Sequence, residues 1–428
     1  MKNKIFTTII SICMLVVTTS LSACNNNEQN TILPNADNLL ASVQKSSNSP
    51  QYDFVASAKQ PEEYSTYINK STELGLKMLK SENYDKKNTA VAPLSVSLSL
   101  SAMANGTAKD TLRQMKNFVG TANLNMDTIN QCSAYISQRI RFFNKDSNGV
   151  FDTTTVWVSD SMTVKRSFLQ KYDNFYNMSF YKMNFADNTT NGLIKEYIAS
   201  QSENLLPVGD IHTTEKYRLY NDCSVAVSDY WLNPYTNSQN GKFTTTENKS
   251  VNVSYLTSTE RIYKSDKATA FIKEFKTIPC KLLCILPNEN ITLQEYVDSL
   301  SYDKLLDIPN KIKPMEFATV SIPQFSVEKS SSLKNTLSDI GISNIFSENA
   351  DFSKGFSENI FLDDMTQSVK MAISENGISK TQKENDVADT ETPETKELVT
   401  FNRPFLYAVI DNESYVPVIL GTVNQPTN

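Results

Sequence analysis

The strongest constraint on this chain lies near its end. Residues Phe405 to Ile410 and Val416 to Val423 are apolar at almost every position and flank the polar turn Asp411-Asn412-Glu413-Ser414. Runs of this kind leave no face for solvent, so they read as a hairpin buried on both sides within a layered domain. Just before them, Ile378 to Thr400 holds Lys, Glu, Asp, Thr and Pro with almost no apolar residue, and before that Val369, Met371 and Ile373 alternate as a strand does. A long polar segment pinned at both ends by core stands exposed, either as a functional loop or as an acidic insertion.

The rest of the sequence supplies the domain. Tyr64, Ile68, Leu76 and Leu79 mark one helix face, Leu94, Leu98 and Ala102 a second, and Ala108, Leu112 and Met115 a third. Strands are expected over Phe151 to Val158, Met178 to Phe185, Val225 to Leu232, Val251 to Tyr255, Lys281 to Pro287, Phe317 to Ile322 and Thr366 to Ile373. Hydrophobic residues at 39% and charged residues at 21% describe an ordinary globule able to bury a sizeable core. A formal charge of −6 without a basic stripe argues against a nucleic-acid partner.

The first residues speak to location. Lys2 and Lys4 precede an apolar run from Ile5 to Val17 that ends in Leu21-Ser22-Ala23-Cys24, the pattern of a signal peptide with a lipid-accepting cysteine. Residues 1–23 are therefore expected to be removed, Cys24 to carry a lipid, 24–60 to form a flexible linker and 61–428 the folded domain. Exported in this way, the protein would stand at the cell membrane or cell surface, facing outward. Cys132, Cys223, Cys280 and Cys284 make no CxxC motif and read as buried free thiols.

Catalytic chemistry finds little support. The single histidine, His212, is the only residue around which a Ser-His or Cys-His arrangement could form, and its neighbours Pro207 and Gly209 suggest a surface loop. There is no HExxH, GxSxG, P-loop or GxGxxG pattern, and no set of residues spaced for a metal. No cofactor and no metal are expected, and the chain does not read as an enzyme.

Three blocks carry a family likeness. Asn88 to Met115 reads NTAVAPLSVSLSLSAMANGTAKDTLRQM; Pro93 suits a first helical turn, Gly106 a helix end, and Thr107 or Asp110 the cap of the next helix. Ser321 to Ser353 reads SIPQFSVEKSSSLKNTLSDIGISNIFSENADFS, in which Leu333, Leu337 and Ile340 form a helix face closed by Gly341. Glu375-Asn376-Gly377 and Phe401-Asn402-Arg403-Pro404-Phe405 then bracket the polar segment. In order and spacing these blocks resemble the serpins.

The resemblance implies an α+β fold with a large central mixed β-sheet, additional sheets, about eight or nine helices and an exposed reactive loop. It also implies an inhibitor of serine, or cysteine, endopeptidases that acts by being cut, after which the loop inserts into the sheet; the target protease is the partner, and the protein a monomer. Carried onto this sequence, the loop hinge is Glu375, Asn376, Gly377 and Ile378. The scissile bond falls between Asp389 and Glu394, with Glu391-Thr392 the best single choice. In the sheet-opening region Ser95 keeps the family residue, while Ala92 stands for Ser, Ser228 for Asn and Gln367 for His. Thr236 stands where a Trp normally covers the top of the sheet. Insertion would send every second loop residue into the core, either Ile378, Lys380, Gln382, Glu384, Asp386 and Ala388 or their neighbours. The first set carries three charges, which leaves open a non-inhibitory relative acting as a binding module or decoy substrate.

Overall fold

A computed structural model describes residues 36–426, apart from 48, 57, 83–86, 207, 208, 210 and 381–394. Strands are numbered β1 to β18 and helices α1 to α9 in chain order. The first sheet contains β1 (Ala36–Asn38), β3 (Gly149–Asp152), β4 (Thr155–Ser159), β5 (Ser179–Met183), β6 (Leu219–Asp222) and β7 (Val225–Tyr230). It is completed by β13 (Phe325–Ser332), β14 (Asp364–Ile373) and β15 (Gly377–Ile378). Its order is β1-β5-β4-β6-β14-β15-β7-β3, with β13 also paired to β14.

The second sheet contains β2 (Thr89–Val91), β8 (Asn237–Thr244), β9 (Ser250–Lys264), β10 (Ala268–Glu274), β11 (Cys280–Pro287), β12 (Phe317–Pro323), β16 (Leu398–Thr400), β17 (Phe405–Asp411) and β18 (Pro417–Val423). Its order is β16-β12-β9-β10-β11-β17-β18-β2, with β8 on β9. The expected terminal hairpin is β17 and β18, and every residue of both strands is buried. Fully covering one Leu or Ile side chain is worth about 1.5–3 kcal/mol, so this hairpin anchors the second sheet.

The helices are α1 (Tyr64–Lys80), α2 (Pro93–Ala104), α3 (Lys109–Val119), α4 (Met126–Phe142), α5 (Arg166–Phe175), α6 (Thr190–Gln201), α7 (Leu293–Ser299), α8 (Tyr302–Lys311) and α9 (Lys334–Asp339). Pro93 opens α2 as expected, and all twelve residues of α2 are buried. A helix buried all round needs its hydroxyls satisfied, and Ser101 Oγ returns its proton to Ser97 O at 2.7 Å. Gly341 follows α9 with φ of +109°, the left-handed turn anticipated for it.

Several expectations give way. Neither Thr107 nor Asp110 caps α3: Ala108 is its N-cap, and Thr107 Oγ1 instead donates to Ala104 O. The run from Phe151 to Val158 is two strands, because Asp152 Oδ1 accepts from Thr154 N at 3.0 Å and turns the chain from β7, the neighbour of β3, to β6, the neighbour of β4. The described residues between 36 and 58, a stretch expected to be linker, lie against the domain. β1 pairs with β5, Ser46 N donates to Asn174 Oδ1 at 3.0 Å, and Tyr52 and Phe54 pack edge-on against Tyr135. Their apolar residues are too isolated to show a period, which is why the sequence alone hides this strap.

Candidate functional site

The site is the seam between β7 and β14. Below, Val369 pairs directly with Val225 and Lys370 with Ala226, in parallel. Above, the strands part and β15 fills the gap, with Ile378 opposite both Ile373 and Asp229 and Gly377 opposite Tyr230. Of the four hinge residues, Glu375 and Asn376 form the turn and Gly377 and Ile378 the inserted strand. Ile378, expected to be exposed, is fully buried.

Local chemistry builds this turn. Ser374 N donates to Gly377 O at 2.9 Å, and Ser374 Oγ accepts from Asn376 N and Gly377 N, both at 3.2 Å. A Cβ at position 377 would lie 2.1 Å from Asp229 O, so only glycine lets the two backbones approach this closely. Asp229 is itself fixed, its Oδ2 accepting from Thr277 N and Ile278 N. The strand stops at Ser379, whose φ of +53° is left-handed, and Lys380 Nζ then donates to Ser147 O and Oγ at 3.0 Å, 5.1 Å from the centre of the Tyr230 ring.

Trp231, rather than Thr236, covers the top of the sheet. Its indole N–H donates to Ser374 O at 2.9 Å, its ring stacks on Phe275, and its backbone N donates to Asn376 O at 3.0 Å. Beside it, the ammonium of buried Lys273 lies 4.1 Å from the Tyr235 ring centre and pairs with Glu260.

Lower down, Gln367 joins the seam to α2. Its Oε1 accepts from Ala92 N at 2.9 Å, and its Nε2 donates to Ala92 O at 3.1 Å and to Cys223 O at 3.2 Å. Ser95 Oγ lies 3.2 Å from the same Cys223 oxygen and 2.9 Å from Thr154 Oγ1. Ala92, Ser95 and Gln367 thus meet around the Cys223 carbonyl, and Ser228 does not join them. It pairs with Gly149 higher on β7, and Cys223 occupies the place foreseen for it. One five-residue shift accounts for both Ser228 and Thr236. The run Val225-Ala-Val-Ser-Asp-Tyr carries no mark that fixes its register, whereas Trp231, one of only two tryptophans, could have fixed it.

Asp222 carries no mark in the sequence that points to a role. It is buried at the break between β6 and β7, where it accepts from Ser224 Oγ at 2.8 Å and from Ser224 N, Thr153 Oγ1 and Thr366 Oγ1 at 3.2 Å. Burial pushes its carboxyl from the ordinary 3.8 to about 7, against the pull of those donors. The thiol of Cys223 beside it is raised too, mainly by burial, and all four cysteines among the described residues are buried and free.

The far end of the loop is also held. β16 runs parallel to β12, Thr319 N donates to Glu397 O at 2.8 Å, and Glu397 pairs with Lys264. The Glu391-Thr392 bond and Cys24 lie outside the described residues. His212 is exposed in a loop, no metal-binding cluster occurs among the described residues, and no helix among them is long and apolar enough to cross a membrane.

Comparison with known proteins agrees with this geometry. The sequence model of one family, described as Serpin (serine protease inhibitor), matches residues 69–426. Serpin A3-2 of Bos taurus is 24% identical over 363 residues, covering 80% of this chain and 84% of its own. The thermophilic serpin tengpin in its native state superposes with a TM-score of 0.81 at 24% identity, over 91% of this chain and 100% of that one. Tengpin in its latent state gives 0.72 at 23% identity, over 86% and 100%.

Proposed function

The chain belongs to the serpin family, a family of protease inhibitors, and on that premise we propose that it is a suicide-substrate inhibitor of serine, or cysteine, endopeptidases. It is held at the outer face of the cell envelope through lipid on Cys24. The observation that carries the reading is β15: the start of the bait loop already forms a strand between β7 and β14, and its register points down the seam. The protease nucleophile attacks the carbonyl carbon of Glu391, the bond to Thr392 breaks, and Thr392 leaves as an amine that takes up a proton. Glu391 remains as an ester, or a thioester, on the protease. Glu391 suits an enzyme that prefers acidic residues.

One observation favours a second reading. With Ile378 facing the core, continuing the register sets Lys380 opposite Val227 and Met371, Glu384 opposite Cys223 and Gln367, and Asp386 opposite Asn221 and Met365. All these partners are buried. An unpaired charge driven into such a place costs several kcal/mol, which slows insertion and lets hydrolysis finish first. The protein then serves as a decoy substrate or binding module. Incubation with a glutamyl-specific and a trypsin-like protease, followed by a denaturing gel, separates the two readings. A covalent complex is expected for an inhibitor; clean loop cleavage with active protease left over would refute it.

A further inference from the structure

The register of the first sheet locates the end of the molecule from which the N-terminal segment departs. Ile373, opposite the bait strand, stands at the head of β14, and Asp364 stands at its lower end, level with Tyr220 of β6. Tyr220 lies opposite Trp157 of β4; two rungs lower, Ser159 is level with Met183 of β5, and Met183 lies opposite Ala36. Ala36 is therefore at the foot of the sheet, eleven rungs from the bait strand, which is roughly 36 Å at the rise of a strand. Because β1 runs antiparallel to β5, the chain enters the sheet from below. Ala36, the first described residue, therefore stands at the pole opposite the bait strand.

Cys24 precedes Ala36 by twelve residues, a reach of at most roughly 40 Å. We propose that the lipid on Cys24 seats the domain on a bilayer by the foot of the first sheet, so that the bait faces away from the membrane. This rests on the envelope display proposed above.

The test uses the lipid-modified chain in vesicles of phosphatidylcholine and phosphatidylglycerol that contain a headgroup spin label. An azide-bearing residue coupled to a fluorophore replaces either Ser161, exposed in the turn at the foot, or Leu232, 48% exposed at the head. Quenching at Ser161 is expected to exceed that at Leu232 at least threefold. Equal quenching, or the reverse order, overturns the proposal. Flotation of the wild type against Cys24→Ala tests the display reading separately. If the wild type does not float, that reading fails, and the seating is then measured on the Cys13→Ser chain coupled at Cys24 to a maleimide lipid, with the same two labels and the same two outcomes.

Discussion

Strands β7 and β14 meet in two ways along one seam. At Val369 and Val225 they bond to each other; four residues higher, Ile373 and Asp229 both bond to Ile378. The difference teaches that opening this sheet need not cost backbone hydrogen bonds, because an entering strand satisfies both edges. What decides how far the seam opens is the side chain that enters. Ile378 is apolar and is buried; Lys380, next on the same face, stays outside on Ser147. Two features of the loop stand where β15 stops, the left-handed turn at Ser379 and the charge on Lys380.

The sharpest way to break this comparison is to remove the charges from the entering face. Replacing Lys380, Glu384 and Asp386 together by Ala should raise the ratio of covalent complex to cleaved, released protein by about a hundredfold or more, since roughly 3 kcal/mol suffices for that factor. Titration of inhibitor against active protease measures the ratio. An unchanged ratio would place the barrier in the sheet instead.

The closed half of the seam has its own weak point in Asp222. Its value in the folded chain is raised, so its contribution to stability is complete below the unfolded-chain value near 3.9 and is lost as pH climbs through about 7. The difference amounts to about 4 kcal/mol once the group is ionised. Tyr220, Cys223, Asp152 and Asp364 also face this region, and none of them supplies a positive charge. Asp222→Asn should flatten the fall in melting temperature between pH 5.5 and 8.5; parallel curves for the two proteins would refute the assignment.

Gln367 offers a smaller lever on the same half. Gln367→Ala leaves Ala92 N and Ala92 O without a side-chain partner and Cys223 O with Ser95 Oγ alone, at about 1–3 kcal/mol for buried groups. Chemical denaturation should show that loss. Spontaneous insertion of the uncut loop, read as a slow gain in thermal stability, should accelerate.

The frame of this molecule could be read from its residues because long apolar runs and an absence of apolar residues are both unambiguous. The β17–β18 hairpin and the buried helix opened by Pro93 belong to that class. What escaped had a shared physical cause: it depends on pairs distant in sequence. The β1 strap holds through scattered residues that gain meaning only beside β5 and α4. β6, β8, β10 and β13 were not anticipated, and β9 runs far beyond Val251 to Tyr255, because cross-strand pairing, on both sides for β6 and β10 and on one side for β8 and β13, satisfies strands whose own alternation is weak. At the seam, Ala92, Ser95 and Gln367 lie in or beside blocks that a motif marks, whereas Cys223 and Asp222 are placed only by the register of β7.

The smallest expected effect bears most directly on what halts the bait. In Lys380→Ala the ammonium loses its bonds to Ser147 and its place beside Tyr230, both at the surface and together worth about 0.5–1 kcal/mol. The same change removes the first charge that resists burial, so the two causes predict opposite results. If the hook on Ser147 holds the hinge, amide exchange across Gly377 to Ser379 should rise severalfold; if the charge alone bars entry, the strand should lengthen and exchange should fall. Ser379 is left-handed in the structure and ends β15, so the strand lengthens only where that turn is also undone. Exchange is therefore expected to rise, with the melting temperature nearly unchanged. A fall would show that burial of charge, one residue at a time, is the whole of the barrier.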